Sequence, residues 1–110
     1  MANKKERIQA LIQKNISDII LFELKNPLMK LVTVNFVDVT NDHSYAKIYV
    51  SHLDKTKANE ALETLTRLKG VIRSSLARKM DLYRIPELIF ILDDTFDKGE
   101  RIENILKELK

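Results

Sequence analysis

The stretch that decides the fold is residues 56–80, TKANEALETLTRLKGVIRSSLARKM. Its apolar residues recur at three- and four-residue spacing, which is the period of one face of an α-helix. Residues 58–68 form a first apolar stripe, residues 71–80 form a second, and Gly70 lies between them. Glycine in a helix interior costs about 1 kcal/mol relative to alanine. Gly70 therefore predicts a kink in this helical segment or a close approach to a neighbouring group.

Two strands are predicted before the helical segment. Val32, Val34 and Phe36 alternate with polar residues, and the apolar phase then slips to Val37 and Val39, which indicates a bulge or a change of buried face. A turn at residues 41–43 leads to a second strand at about residues 44–51. In this strand one side carries Ala46, Ile48 and Val50, and the other carries Tyr45, Lys47 and Tyr49.

Three further elements flank this centre. A helix over roughly residues 4–25 is predicted to stop at Asn26, because Pro27 disfavours helical geometry at the residue before it. Residues 87–92 are almost entirely apolar, which favours a strand covered on much of both sides, often a central or parallel one. An acidic loop at residues 93–99 precedes a last helix with an apolar stripe of Ile102, Ile105, Leu106 and Leu109.

The predicted order is α-β-β-α(kink)α-β-α in one α+β domain of 110 residues, covering 1–110. The first two strands form a hairpin, and the long helical crossover lets the third strand lie parallel to the first. Helices then cover one face of a three-stranded mixed sheet. This order resembles the type II KH domain, an RNA-binding module whose usual GXXG loop is absent here.

Positive charge is concentrated in one segment. The chain has a net charge of +3, but residues 67–84 contain six Lys or Arg against one Asp, a net of +5. Such clustering is the electrostatic footprint of a polyanionic partner, although a solvated helix face has the same composition. The candidate RNA-binding residues are Arg67, Lys69, Gly70, Arg73, Ser74, Arg78, Lys79 and Arg84. A basic amino-terminal helix with Lys4, Lys5 and Arg7 is the alternative place for RNA.

Other polar residues have two interpretations each. His43 and His52 are expected to be surface residues, since a zinc site needs more nitrogen or sulfur ligands than a chain without cysteine offers. Asp93 and Asp94 suit either Mg²⁺ with a phosphate or an acidic strand end, and we favour the strand end because adjacent strand residues point to opposite sides.

Serine and tyrosine side chains near the predicted site leave similar alternatives open. Ser74 and Ser75 either contact phosphate oxygens or pack near the kink. Tyr45 and Tyr49 either stack on bases or pack across strands. The chain has only two glycines, Gly70 and Gly99. They are too few for a glycine-flanked turn that presents a catalytic nucleophile, and too few for a glycine-rich phosphate-binding loop. We therefore expect that the protein is not an enzyme and binds no cofactor.

Several short motifs follow one another at a specific spacing. They are Asn26-Pro27, Val37-Asp38-Val39-Thr40, YAKIYV at residues 45–50, Gly70-Val71-Ile72-Arg73, RIPELIF at residues 84–90, Asp93-Asp94 and Arg101-Ile102. Together they resemble the ribosome-binding factor A family over about residues 7–105. In that family an Ala-x-Gly kink replaces the GXXG loop, and here Leu68-Lys69-Gly70 occupies its place, with the glycine but without the alanine.

The resemblance implies a monomeric late assembly factor of the 30S small ribosomal subunit. Such a protein binds the free subunit and 16S rRNA, assists processing of the 16S rRNA 5′ end, and is needed most in the cold. A small adaptor whose basic helix binds an acidic protein partner is the alternative. No apolar run approaches the roughly 20 residues of a membrane span, and no secretory signal is expected, so we expect a cytoplasmic protein without a membrane partner.

Overall fold

The computed structural model describes residues 3–81 and 84–93. Three α-helices and a three-stranded sheet make up this part of the chain. In chain order they are α1 (Lys4–Asp18), a π-helical turn (Ile19–Glu23), a 3-10 turn (Pro27–Leu31), β1 (Val32–Val39), β2 (Tyr45–His52), a 3-10 turn (Lys55–Lys57), α2 (Ala58–Arg67), α3 (Lys69–Lys79) and β3 (Glu87–Leu92). The α+β class and the kinked helix pair are confirmed, and the predicted last helix lies outside the described residues.

The first helix begins at a capping box and ends in a wider turn. Asn3 accepts a hydrogen bond from the Glu6 backbone N–H at 2.8 Å, and the Glu6 carboxylate accepts one from the Asn3 N–H. After Asp18 the chain continues as a π-helical turn, in which the Leu24 N–H donates to the Ile19 carbonyl five residues back. The helical path ends before Pro27, as predicted, with Lys25 at a φ of 49°.

This π-helical turn decides which residues face the core. An α-helix advances about 100° per residue, which would carry Glu23 towards the face shared by Ile12, Ile16 and Ile19. An i→i+5 turn advances less per residue, so Leu24 packs against the core instead. Glu23 and Phe22 are left exposed.

β1 and β2 pair antiparallel, with a register shift between Val34 and Phe36. Asn35 is the unpaired residue, so the predicted bulge is confirmed. The side chain of Gln13 on α1 holds the bulge, since its Nε2 donates to the carbonyls of Val34 at 3.1 Å and Asn35 at 3.2 Å. The bulge therefore fixes how α1 lies along β1.

The third strand corrects two expectations. The sheet order is β1-β2-β3, and β3 is parallel to β2, so it runs antiparallel to β1 and not parallel to it as expected. The helical crossover starts at the end of β2 and returns to the strand's starting end, which makes β2 the parallel partner. β3 is also an edge strand covered mainly on one face: Leu88 and Phe90 are buried, while Ile89 is 39% exposed beside Lys47.

The core lies between the sheet and the three helices, which pack on one face as predicted. Its largest fully buried side chains include Ile12, Ile16, Ile48, Leu65, Ile72, Leu76 and Leu88. On the opposite face the rings of Phe36 and Tyr49 stack with centroids 4.2 Å apart. Tyr49 thus packs across the two strands, which is one of the two roles considered for it from the sequence. Within the described residues, no helix is long and apolar enough to cross a membrane.

Candidate nucleic-acid interface

The kink lies at Leu68, two residues before Gly70. Leu68 has φ −92° and ψ 5°, so it interrupts the helical path between α2 and α3. Its N–H still donates to the Thr64 carbonyl at 3.0 Å, and its carbonyl accepts from the Ile72 N–H at 2.9 Å. The hydrogen bonds of Leu68 thereby link the last turn of α2 to the first turn of α3.

The backbone conformation of Gly70 does not produce the bend. It lies in the first turn of α3, and no glycine of the described residues has a positive φ. A Cβ built on Gly70 would meet no heavy atom within 4 Å. The expectation of a close approach inside the protein is therefore wrong, and the space over Gly70 is open to solvent.

A shallow groove of about 360 Å³ opens beside Gly70. Lys69, Gly70 and Arg73 of α3 form one wall, and Glu87 and Leu88 of β3 form the other. The first-turn N–H groups of a helix have no partner within it. Together with the helix dipole they favour an anion. Among the described residues, the groove thus combines two cationic side chains and a helix N-terminus with the single carboxylate of Glu87.

Arg73 is bound to the protein itself. Its Nε donates to the Pro86 carbonyl at 3.1 Å, and its Nη2 donates to the Ile85 carbonyl at 2.7 Å. These bonds join α3 to the segment that enters β3. A guanidinium has five N–H donors, so Arg73 keeps its charge and further donors at the groove while its position is fixed.

Lys79 is placed away from the groove by an ion pair. Its Nζ lies 2.9 Å from Glu23 Oε2, and the Ser75 hydroxyl donates to Glu23 Oε1 at 2.5 Å. The hydrogen bond from Ser75, followed by that from Lys79, holds the pKa of Glu23 below its usual value of 4.5. Lys79 and Ser75 therefore connect α3 to the π-helical turn, and Ser75 packs near the kinked pair and is buried.

The remaining predicted residues are exposed, with Arg67, Lys69, Ser74 and Arg78 on the helix pair and Arg84 in the segment that leads to β3. Within the part of the chain that the structure describes, the side chains of Arg67, Lys69, Arg78 and Arg84 make no ion pair or hydrogen bond. Ser74 follows Gly70 by one helical turn, and Ala77 follows Ser74, so small side chains form the outer ridge of α3. A rigid anionic backbone could approach this low ridge closely.

The expectation that His52 is a surface residue is wrong. It is 6% exposed; its Nε2 lies 2.9 Å from the Leu28 carbonyl, and its Nδ1 accepts from the Asp54 N–H at 3.0 Å. The sequence does carry the signal, because the period of two that buries Ala46, Ile48 and Val50 reaches His52. His52 is thus a structural residue that joins the two 3-10 turns at this end of the sheet.

The other candidate residues are also accounted for by packing or position. His43 lies in the turn with a φ of 60°, and the Asp93 carboxylate accepts from Asn35 Nδ2 at 2.7 Å. Asp94 lies outside the described residues. Among the residues described, no group of three or more His, Cys, Asp or Glu is placed to hold a metal ion.

Known proteins are similar to this chain in sequence and in architecture. The family model for ribosome-binding factor A matches residues 4–106. A relative named ribosome-binding factor A, from Macrococcus caseolyticus, is 42% identical over 110 residues, covering 99% of this chain and 96% of its own length.

One crystal structure and one homology model fitted into a cryo-EM map superpose well on this chain. The crystal structure of ribosome-binding factor A from Thermus thermophilus is 27% identical with a TM-score of 0.74, covering 82% of this chain and 97% of that one. A homology model of the Thermus thermophilus protein, fitted into the cryo-EM map of a 30S–RbfA complex, has a TM-score of 0.67 at 27% identity, covering 78% and 91% of the two chains.

Proposed function

Because the chain belongs to the ribosome-binding factor A family, we propose that it binds the free 30S ribosomal subunit through 16S rRNA and acts late in the subunit's maturation. The observation that carries the proposal is the groove beside Gly70, where cationic side chains, a helix N-terminus and open space coincide. The related Thermus thermophilus protein fitted into a map of its complex with the 30S subunit supports the choice of partner.

The groove binds the RNA backbone rather than a base sequence. Phosphate oxygens accept hydrogen bonds from the first-turn N–H groups of α3 and from Lys69 and Arg73. Arg78 and Arg84 are exposed outside the groove lining, and we include them in the positive surface that meets the RNA. Because Gly70 has no side chain, a phosphate can approach the helix backbone. The GXXG loop, which this chain lacks, plays the corresponding part in other KH domains.

Binding does not require the protein to perform chemistry on the RNA. Held by phosphate contacts, the protein stabilises one conformation of the immature rRNA, and nucleases then process the 16S rRNA 5′ end. Incorrect RNA conformations persist longer at low temperature, because the barriers to rearrangement are harder to cross. The requirement for this protein is therefore greatest in the cold, and the protein works in the cytoplasm as a monomer.

A binding experiment with matched variants tests the groove. Purified 30S subunits are titrated with the wild-type protein, with the groove variant Lys69→Gln, and with the control Lys14→Gln, which loses the same charge elsewhere. Each phosphate neutralised contributes about −0.7 to −0.9 to the slope of log affinity against log salt. The groove variant should flatten the slope by about 0.7 to 0.9, and the control should not. Equal slopes for the two variants would remove the groove from RNA binding.

A cell experiment tests the maturation step separately. A strain without the gene should accumulate 16S rRNA with an unprocessed 5′ end, most of all in the cold, and the wild-type gene should restore processing. Normal 5′ ends at every temperature would contradict the role in maturation even if binding were retained.

A further inference from the structure

A second basic surface lies at the end of the sheet opposite the groove. There β1 begins and β2 ends, and the π-helical turn packs against the 3-10 turn Pro27–Leu31. The Leu53 N–H donates to the Leu31 carbonyl at 3.0 Å, and His52 bonds the Leu28 carbonyl. These contacts bring three turns from separate parts of the chain to one end of the molecule.

The side chains that project from these turns are basic and apolar. Phe22 is 66% exposed and Leu53 is 80% exposed. Lys25, Lys30 and Lys57 are exposed, and within the described residues their side chains make no ion pair or hydrogen bond. We call the set Phe22, Lys25, Lys30, Leu53 and Lys57 the lysine corner.

Two carboxylates at this end, those of Glu23 and Asp54, are already bound. Glu23 is held by Ser75 and Lys79. Asp54 accepts from the Thr56 hydroxyl at 2.6 Å and from its N–H at 3.0 Å, and these bonds, more than the nearby charge of Lys57, lower the pKa of Asp54. Within the described residues, neither of these two carboxylates therefore forms an ion pair with a lysine of the corner.

We propose that the lysine corner is a second RNA-binding site, which takes an unpaired nucleotide with its flanking phosphates. The base stacks on the exposed face of Phe22, and the phosphates lie against Lys25, Lys30 and Lys57. An exposed aromatic ring on a positively charged surface is the usual arrangement for binding single-stranded nucleic acid. The π-helical turn serves this site, because it turns Phe22 outwards while Leu24 enters the core.

The two sites together would let the protein bridge separate RNA segments. β2 spans the distance between the ends of the sheet, and the steps between its 8 residues, at about 3.4 Å each, place the sites roughly 24 Å apart. A protein that holds two segments at a fixed separation stabilises a tertiary arrangement of the RNA. This inference rests on the proposed function, which requires only the groove.

Matched variants test the corner in the 30S titration. Lys30→Gln/Lys57→Gln should weaken binding roughly 25- to 60-fold at about 0.1 M salt and flatten the slope by about 1.4 to 1.8, whereas Lys14→Gln/Lys47→Gln should not. Phe22→Leu should weaken binding about 5- to 150-fold, as for loss of base stacking, and Phe22→Tyr should restore it. Unchanged binding of the lysine variant, or full binding by Phe22→Leu, would overturn the proposal.

Cross-linking identifies what contacts each site. A photoreactive residue at position 53 and another at position 74 should label two separate stretches of 16S rRNA in the 30S complex. Labelling of a protein from position 53, or of one RNA stretch from both positions, would overturn the second site. If the groove variant loses binding and the corner variants do not, the second site is overturned and the proposed function stands. If the groove variant and the corner variants all retain binding, the proposed function and the second site are both contradicted.

Discussion

Replacing Gly70 with alanine separates a structural role of this glycine from a binding role. A Cβ at this position meets nothing within 4 Å, and the residue lies in α3 with an ordinary backbone conformation. Alanine therefore introduces neither a clash nor backbone strain. It also reduces the entropy of the unfolded chain, so Gly70→Ala should stabilise the protein by about 0.4 to 1 kcal/mol.

The expected gain is large enough to measure. For a domain of this size about 1 kcal/mol raises the melting temperature by roughly 3 to 6 °C, so a shift of about 1 to 6 °C is expected. The added methyl group projects into the open space over α3, where the RNA backbone is proposed to lie. Binding to 30S subunits should therefore weaken while stability rises.

Thermal melting and 30S titration of the Gly70→Ala variant, carried out on one protein preparation, test whether stability rises while binding weakens. Asn59→Ala, at an exposed position of α2 outside the groove lining, is the matched control, because it also raises helix propensity. A variant that melts at a lower temperature would refute the stability argument. A more stable variant that binds the subunit normally would show that the open space over Gly70 is not used by RNA.

Three other predictions concern contacts within the protein. His52→Ala should destabilise the fold by about 1 to 3 kcal/mol, because the buried Leu28 carbonyl loses its donor, and a change in the urea midpoint below experimental error would contradict this. Gln13→Ala should cost about 1 kcal/mol, since two carbonyls at the bulge lose their bonds, as measured by urea unfolding against Lys14→Ala. Because the pKa of Glu23 is lowered from 4.5, the stability it contributes is complete above that pH and is lost as the pH falls through the lowered pKa. Glu23→Gln should therefore be less stable than wild type at neutral pH, with the difference shrinking in acid, and a pH-independent difference would argue against the ion pair with Lys79.

Local pattern was enough to predict most elements of this fold. The phase slip between Phe36 and Val37 predicted the bulge, and Pro27 predicted the end of the helical path. The period of two separated Ala46 from Tyr45 on opposite faces of the sheet. Each of these features depends on residues within a few positions of one another.

Features that depend on distant contacts were not predictable in the same way. Whether β3 runs with β1 or with β2 depends on which strand it joins, and its own apolar sequence does not distinguish them. The basic cluster gave eight candidate residues, but only the fold shows that Arg73 bonds the Pro86 carbonyl and that Lys79 pairs with Glu23. The bend at Leu68 was assigned to Gly70, because glycine is the usual local signal for a kink.

Sedimentation of cell extracts on sucrose gradients tests the central claim most directly. The wild-type protein, detected by immunoblot, should travel with free 30S subunits and be scarce on translating ribosomes. The groove variant Lys69→Gln should shift towards the top of the gradient, and the control Lys14→Gln should sediment as wild type does. A wild-type protein found only at the top of the gradient, or a groove variant that still travels fully with the 30S fraction, would contradict the account.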